Sequence, residues 1–309
     1  MPFGLLTGLG AALSWGTMDV ASALVGRRVG SLMVTAGVVL VSAILLIAMT
    51  LVSGTSIPSD TATLGTAAIL GVIGAGAYLA YFTGLRVGPI SVVSGMVAAY
   101  GGLTVVLSVV LRGETLTGTQ AFGAAIATAG VILTGVAFDG GLRGTHFAGP
   151  GVAFAVVALT LFALMAITTD IALESAGWLQ VLLLSRLVTA AVAVAAVFAA
   201  RTRGAGPEAA ATSPAVRAGG PVASDRGSSL RSGPVVAAII VAGTLDVLGL
   251  VSFAIGLERA PTWMVGLASS FGPAVTILVA VAFLGERLKR IQWIGLGGVA
   301  IGMIAIALP

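Results

Sequence analysis

Apolar runs long enough to cross a bilayer recur ten times in this 309-residue chain, and a spanning helix needs about 20 such residues. Bounded by Gly, Pro and charged residues, they predict helices near 4–25, 32–53, 62–84, 89–111 and 118–137, then near 149–170, 178–200, 234–256, 261–283 and 290–308. A water-soluble fold uses about 25% charged residues to cover its surface. Here 8% are charged and 58% hydrophobic, with a mean hydropathy of +1.14, which excludes a soluble domain. The predicted class is an all-α integral membrane protein of ten transmembrane helices, with the lipid bilayer as its surroundings and the cytoplasmic membrane as its place.

The first apolar run reads as a span rather than a cleaved leader. Met1-Pro2-Phe3 carries no basic segment and Asp19 interrupts the apolar stretch, although Ala21-Ser22-Ala23 has the small residues of a cleavage site. Fifteen Lys and Arg against eleven Asp and Glu give a net charge of +4. Nucleic-acid binding would need those bases gathered on a folded polar domain, and no stretch of the sequence forms one. With no cysteine and one histidine, His146, disulfide frameworks, thiol nucleophiles and the common zinc sites drop out together. No cofactor or metal is expected, and no HExxH or P-loop pattern points to an enzyme.

Two linkers interrupt the spans. One runs over 139–148 and contains His146, to which no role is assigned. The other, over 201–233, is rich in Ala, Gly, Ser, Pro and Arg and is expected to be disordered, because it cannot bury a core. Loops that follow odd-numbered helices hold twelve Lys and Arg against two, Arg112 and Arg259, in the others. Basic loops stay cytoplasmic, so the loop charges predict both termini outside.

Sliding the chain against itself by 172 residues aligns Gly84-Leu85 with Gly256-Leu257, Pro89 with Pro261, Thr104 with Thr276, and Gly113-Glu114 with Gly285-Glu286. Over 84–137 there are thirteen identities without a gap, among them Gln120 with Gln292, Gly123 with Gly295 and Gly130 with Gly302. The halves, 1–138 and 149–309, are therefore five-helix repeats. An odd number of spans makes the second copy enter from the opposite side, the inverted arrangement on which alternating-access transporters are built.

These residues resemble the EamA-type transporters of the drug/metabolite transporter superfamily. The resemblance rests on Leu13-Ser14-Trp15-Gly16, the Gly84-Leu85 to Pro89 entry into helix 4, and the Gly-Glu-x-Leu junctions at 113–116 and 285–288. Gln120-x-x-Gly123 and Gln292-x-x-Gly295, which open helices 5 and 10, complete it. It implies two inverted halves around a cavity lined mainly by helices 1, 3, 4, 6, 8 and 9, which exports a small-molecule substrate. It also implies cytoplasmic termini, the reverse of the loop charges. No motif selects the substrate.

Transporter sites lie where helices are interrupted at matching places in the two halves. Gly272-Pro273 interrupts helix 9 and frees the carbonyl of Ser269; the equivalent position in helix 4 is Gly101, within Tyr100-Gly101-Gly102. Charges inside spans are costly and must face protein or a wet cavity. The spans hold Asp19, Asp246 and Arg186, with Asp170 at the end of helix 6. Asp19 and Asp246 are candidates for holding a cationic group of the substrate or for exchanging H+; the competing reading makes either acid a structural ion-pair partner of Arg186. Trp15, Tyr78, Tyr81, Tyr100 and Phe253 are candidates to line a cavity for flat or amphipathic solutes, or simply to pack. Trp178, Trp263 and Trp293 lie near span ends and read as interfacial anchors. Glu114 and Glu286 read as junction residues, Glu114 accepting from the free amides of helix 5. The glycines of helices 5 and 10 read as close-packing positions. The alternatives are a non-transporting membrane scaffold or sensor, whose interior would be filled, and an intramembrane enzyme, which would need both acids on one cavity wall.

Overall fold

The computed structural model describes residues 2–87, 93, 96–135, 150–202, 233–272, 274–275, 278–279 and 290–307. Among them it holds ten helices and no strand: α1 (Pro2–Val29), α2 (Ser31–Ser53), α3 (Thr61–Val87), α4 (Tyr100–Arg112), α5 (Gly118–Gly135), α6 (Pro150–Leu173), α7 (Trp178–Thr202), α8 (Gly233–Leu257), α9 (Thr262–Ser269) and α10 (Arg290–Ala307). Five of them are long and apolar enough to cross a membrane by length and composition alone, within α2, α3, α6, α7 and α8. Large apolar side chains such as Leu40, Ile44, Leu51 and Val52 on α2 are exposed, as a surface facing lipid requires. The linkers predicted over 139–148 and most of 201–233, with His146, Pro273 and Glu286, lie outside the described residues.

Local chemistry sets the helix ends. Asp60 Oδ1 accepts the Thr63 amide at 2.8 Å and starts α3. Gly113 takes the left-handed conformation, φ +67°, and closes α4 without the penalty a side chain would bring. Thr117 and Gln120 form a reciprocal capping box at α5: the Thr117 amide donates to Gln120 Oε1 at 3.0 Å and the Gln120 amide to Thr117 Oγ1 at 3.3 Å.

Helices four and nine are interrupted, and the two interruptions are equivalent. A turn at Ala98–Ala99 precedes α4, and a turn at Ser270–Phe271 follows α9; the 172-residue offset maps one onto the other. At each, a short amide-to-carbonyl bond three residues back (Ala99 to Met96, 3.1 Å; Phe271 to Ala268, 3.4 Å) gives way to a normal helical bond (Leu103 to Ala99, Val275 to Phe271, both 3.1 Å). The interruptions thus fall slightly before the expected Gly101-Gly102 and Gly272-Pro273 positions. Gly101 and Gly102 are helical, and Gly101 is where α4 crosses α9: a Cβ there would sit 2.1 Å from Ser270 Oγ.

The repeats pack mainly against each other. α1 lies on α8 as α6 lies on α3, α2 on α8 as α7 on α3, and α1 on α9 as α6 on α4; α2 pairs with α7, α4 with α9 and α5 with α10. Each pairing is its own mate or has one under exchange of the halves, as an approximate two-fold between them demands. α5 and α10 touch backbone to backbone, since a Cβ on Gly130 would lie 2.7 Å from the Gly295 oxygen and one on Gly123 2.8 Å from the Gly302 oxygen. Trp263 is no interfacial anchor: it is 1% exposed, packed in the core between the repeats, because α9 is buried along its whole length. Trp293 is exposed.

Candidate functional site

A cavity of about 80 Å³ opens between the repeats at the level of the two interruptions. α1 supplies Trp15, Met18 and Asp19, α3 supplies Tyr78 and Tyr81, and the approach to α4 supplies Val97, Ala98 and Tyr100. α6 supplies Phe162, Met165 and Ala166, α8 Phe253, and the end of α9 Ser269 with Gly272. The lining therefore comes from helices 1, 3, 4, 6, 8 and 9, and it brings together Trp15, Asp19, Tyr78, Tyr81, Tyr100, Phe253, Ser269 and Gly272.

The walls are largely aromatic. Phe162 meets Tyr78 and Tyr81 edge to face, at 5.7 and 6.1 Å between ring centroids, and lies tilted against Tyr100 at 5.8 Å, while Trp15 leans on Phe253 at 5.7 Å. Such rings present negative faces that attract cations. The Trp15 indole lies against Gly249, where a Cβ would come within 2.4 Å of its Nε1, and its N–H is buried with no acceptor among the described residues. Tyr100 Oη and Ser269 Oγ, one from each interrupted segment, are hydrogen-bonded at 2.9 Å.

Asp19 is the carboxylate of this cavity. The Tyr81 hydroxyl donates to its Oδ2 at a long 3.4 Å, and among the described residues it forms no ion pair. Asp246 is placed differently. It is fully buried, lines neither this cavity nor the chamber beside it, and stands at the junction of four helices. Ser42 on α2 donates to its Oδ2 at 2.6 Å, Tyr78 on α3 to its Oδ1 at 2.9 Å, and Arg186 on α7 contacts Oδ2 at 2.9 Å. The Arg186 guanidinium also lies over the Tyr78 ring, 5.5 Å from its centroid. Burying these two charges is tolerable only as a hydrogen-bonded pair. Asp19 and Asp246 thus do not share a cavity wall, the geometry a carboxylate-dyad enzyme would need.

A second polar cluster, at the N-terminal end of α9, ties the repeats together. Glu114 accepts the Thr262 amide at 2.7 Å and the Trp263 amide at 3.0 Å. Its carboxylate therefore caps α9 of the other repeat, not α5 as the sequence suggested; the α5 start is already satisfied by Thr117 and Gln120. Beside it Arg112 Nε donates to Asp170 Oδ2 at 2.7 Å and a second guanidinium nitrogen pairs with Glu174.

Phe162, Met165 and Met18 escaped the sequence reading, as did Ser42. Phe162, Met165 and Ala166 on α6 repeat the spacing of Trp15, Met18 and Asp19 on α1, at positions i, i+3 and i+4 on one helix face. Extending the internal repeat to helices 1 and 6 with a 147-residue offset would have found them. The same correspondence sets Ala166 opposite Asp19, so the charge occurs in one half only.

The family profile of the EamA-like transporters matches residues 2–136 and again 149–308, once over each group of five helices. The chain belongs to the EamA-like transporter family. It is an integral, multi-pass membrane protein of a transporter family, with a small-molecule substrate and a lipid setting. No curated protein matches the chain. Twenty-nine chains of solved structures do, and one of them, titled simply as a crystal structure of a protein, superposes with a TM-score of 0.74 at 21% identity over 98% of this chain and 96% of its own. At that identity the likeness concerns the fold of this EamA-like chain.

Proposed function

We propose that this EamA-like protein exports a small amphipathic organic cation across the cytoplasmic membrane by alternating access, in exchange for H+ at Asp19. The two repeats, 1–138 and 149–309 about the linker 139–148, rock around the cavity. The observation that carries this reading is a carboxylate with no cationic partner among the described residues, set in a cavity walled by tyrosines, Phe162, Phe253 and Trp15. A charge inside a membrane protein needs compensation. Either a proton or an organic cation neutralises Asp19, and one carboxylate does not hold both, which is the elementary requirement for exchange. Aromatic walls favour the cation over bulk water. An inside-negative potential draws free cations inward at about 2.3 kcal/mol per 100 mV, so outward movement is the direction that needs the exchange.

Proteoliposomes with an acidic interior test it. Uptake of benzyltrimethylammonium driven by the proton gradient, and lost in Asp19→Asn, supports the reading; uptake indifferent to the gradient or to the substitution refutes it. Because the chain lacks cysteine, an impermeant maleimide on Ser59→Cys, in the exposed α2–α3 loop, reads orientation directly. The loop charges predict labelling from outside.

A further inference from the structure

Beside the main cavity lies a second, smaller chamber of about 30 Å³. Tyr78, Met165 and Phe253 belong to the lining of both, so these three side chains are the partition between them. α7, which contributes nothing to the main cavity, forms much of this chamber through Ser185, Arg186 and Thr189. The hydroxyls there are turned to the backbone: Ser185 donates to the Leu182 carbonyl at 3.2 Å, Thr169 to Met165 at 2.7 Å, and Thr189 Oγ1 lies 2.9 Å from both the Gly71 and Ser185 carbonyl oxygens. The strong donor in the wall is the Arg186 guanidinium. Its five N–H groups exceed what its ion pair with Asp246 through one terminal nitrogen and its hydrogen bond to Tyr78 use.

We propose that the side chamber is a subsite for a neutral hydrogen-bond acceptor, an ether, hydroxyl or amide oxygen on the tail of an organic cation whose head is held at Asp19, with Arg186 as the donor. This rests on the cation reading above and narrows it to a class of substrate. Charge decides the character of the tail. Arg186 is already neutralised by Asp246, so an anionic tail would bring an uncompensated charge into the membrane interior, whereas a neutral oxygen gains the guanidinium's donors at no such cost. Met165 makes the partition passable, since an unbranched thioether changes rotamer readily.

The test uses trimethylammonium probes of equal chain length, all-carbon or carrying one ether oxygen at successive positions, titrated calorimetrically into the purified full chain. Tetramethylammonium serves as the head-only probe. The wild type binds one ether isomer about five- to tenfold more tightly than the all-carbon chain, the ratio expected of one added hydrogen bond. Arg186→Lys removes the preference. Because that variant disturbs a buried ion pair, Gly74 provides the independent check. It lines the side chamber and not the main cavity, and a Cβ there would meet Thr189 Oγ1 at 3.4 Å and Met165 Sδ at 3.6 Å, ordinary contacts. Gly74→Ala and Gly74→Val leave tetramethylammonium binding unchanged while weakening the long probes and erasing the ether preference. Tetramethylammonium binding with no preferred ether position, or a preference that survives Gly74→Val, overturns the subsite alone. Failure of every probe, tetramethylammonium included, overturns the cation reading and the subsite with it.

Discussion

Arg186 on α7 and Asp246 on α8 stand 2.9 Å apart, with side chains 5% and 0% exposed, and hold four helices at one point through Ser42 and Tyr78. Removing one partner strands the other charge, at a cost of about 3–5 kcal/mol. Asp246→Asn is therefore expected to lower the Tm of the detergent-solubilised protein sharply, and Asp246→Asn with Arg186→Gln to recover part of the loss, the coupling that a double-mutant cycle measures. Single variants as stable as the wild type would mean that the pair does not hold the bundle.

Gly249 and Trp15 give a prediction about cavity shape. A methyl at position 249 would lie 2.4 Å from Trp15 Nε1 and 2.7 Å from its Cδ1, so the indole must move. Gly249→Ala is expected to cost about 1–3 kcal/mol of stability and to weaken benzyltrimethylammonium binding severalfold. The emission of a variant whose only tryptophan is Trp15 should shift with it. Unchanged affinity and emission would show that the indole does not shape the site.

Glu114 bridges the repeats by capping α9 with both carboxylate oxygens. Glu114→Ala is expected to cost about 0.5–2 kcal/mol and to speed hydrogen exchange at the Thr262 and Trp263 amides while leaving the α5 capping box protected. Equal exchange in wild type and variant would count against the cap.

Asp60 predicts a local pH response. The Thr63 amide hydrogen bond holds its carboxyl below the usual 3.8. With the folded value depressed, the stabilisation is present above the unfolded value and disappears as pH falls through the folded one. Protection of the Thr63 amide should therefore decline on acidification below about pH 4, and Asp60→Asn should flatten that dependence. Acid-independent protection in the wild type would contradict it.

Ten helices were readable because the apolar runs have bilayer length and their ends carry Gly, Asp, Thr and Gln in capping positions. The repeat was readable because Gly123 and Gly130 and their equivalents Gly295 and Gly302 meet at backbone contacts, where few residue types fit. The Asp19 cavity was partly legible, since a carboxylate and tyrosines are conspicuous in an apolar helix. Phe162 and Met165 were not, because an apolar side chain in a spanning helix looks the same whether it faces lipid or a cavity. Glu114 was assigned to the helix nearest in sequence; its true partner, α9, is 148 residues away and carries no sequence mark of the contact. The side chamber was equally invisible, as Arg186 shows its charge but not the space beside it.

One carboxylate, Asp19, takes either the organic cation or the proton in this mechanism. Calorimetric titration of benzyltrimethylammonium into the purified protein across a pH series tests it most directly. Affinity is expected to fall about tenfold per pH unit once Asp19 is protonated, with one proton released per cation bound, and both effects are lost in Asp19→Asn. Binding of equal strength and equal pH dependence in Asp19→Asn would contradict it.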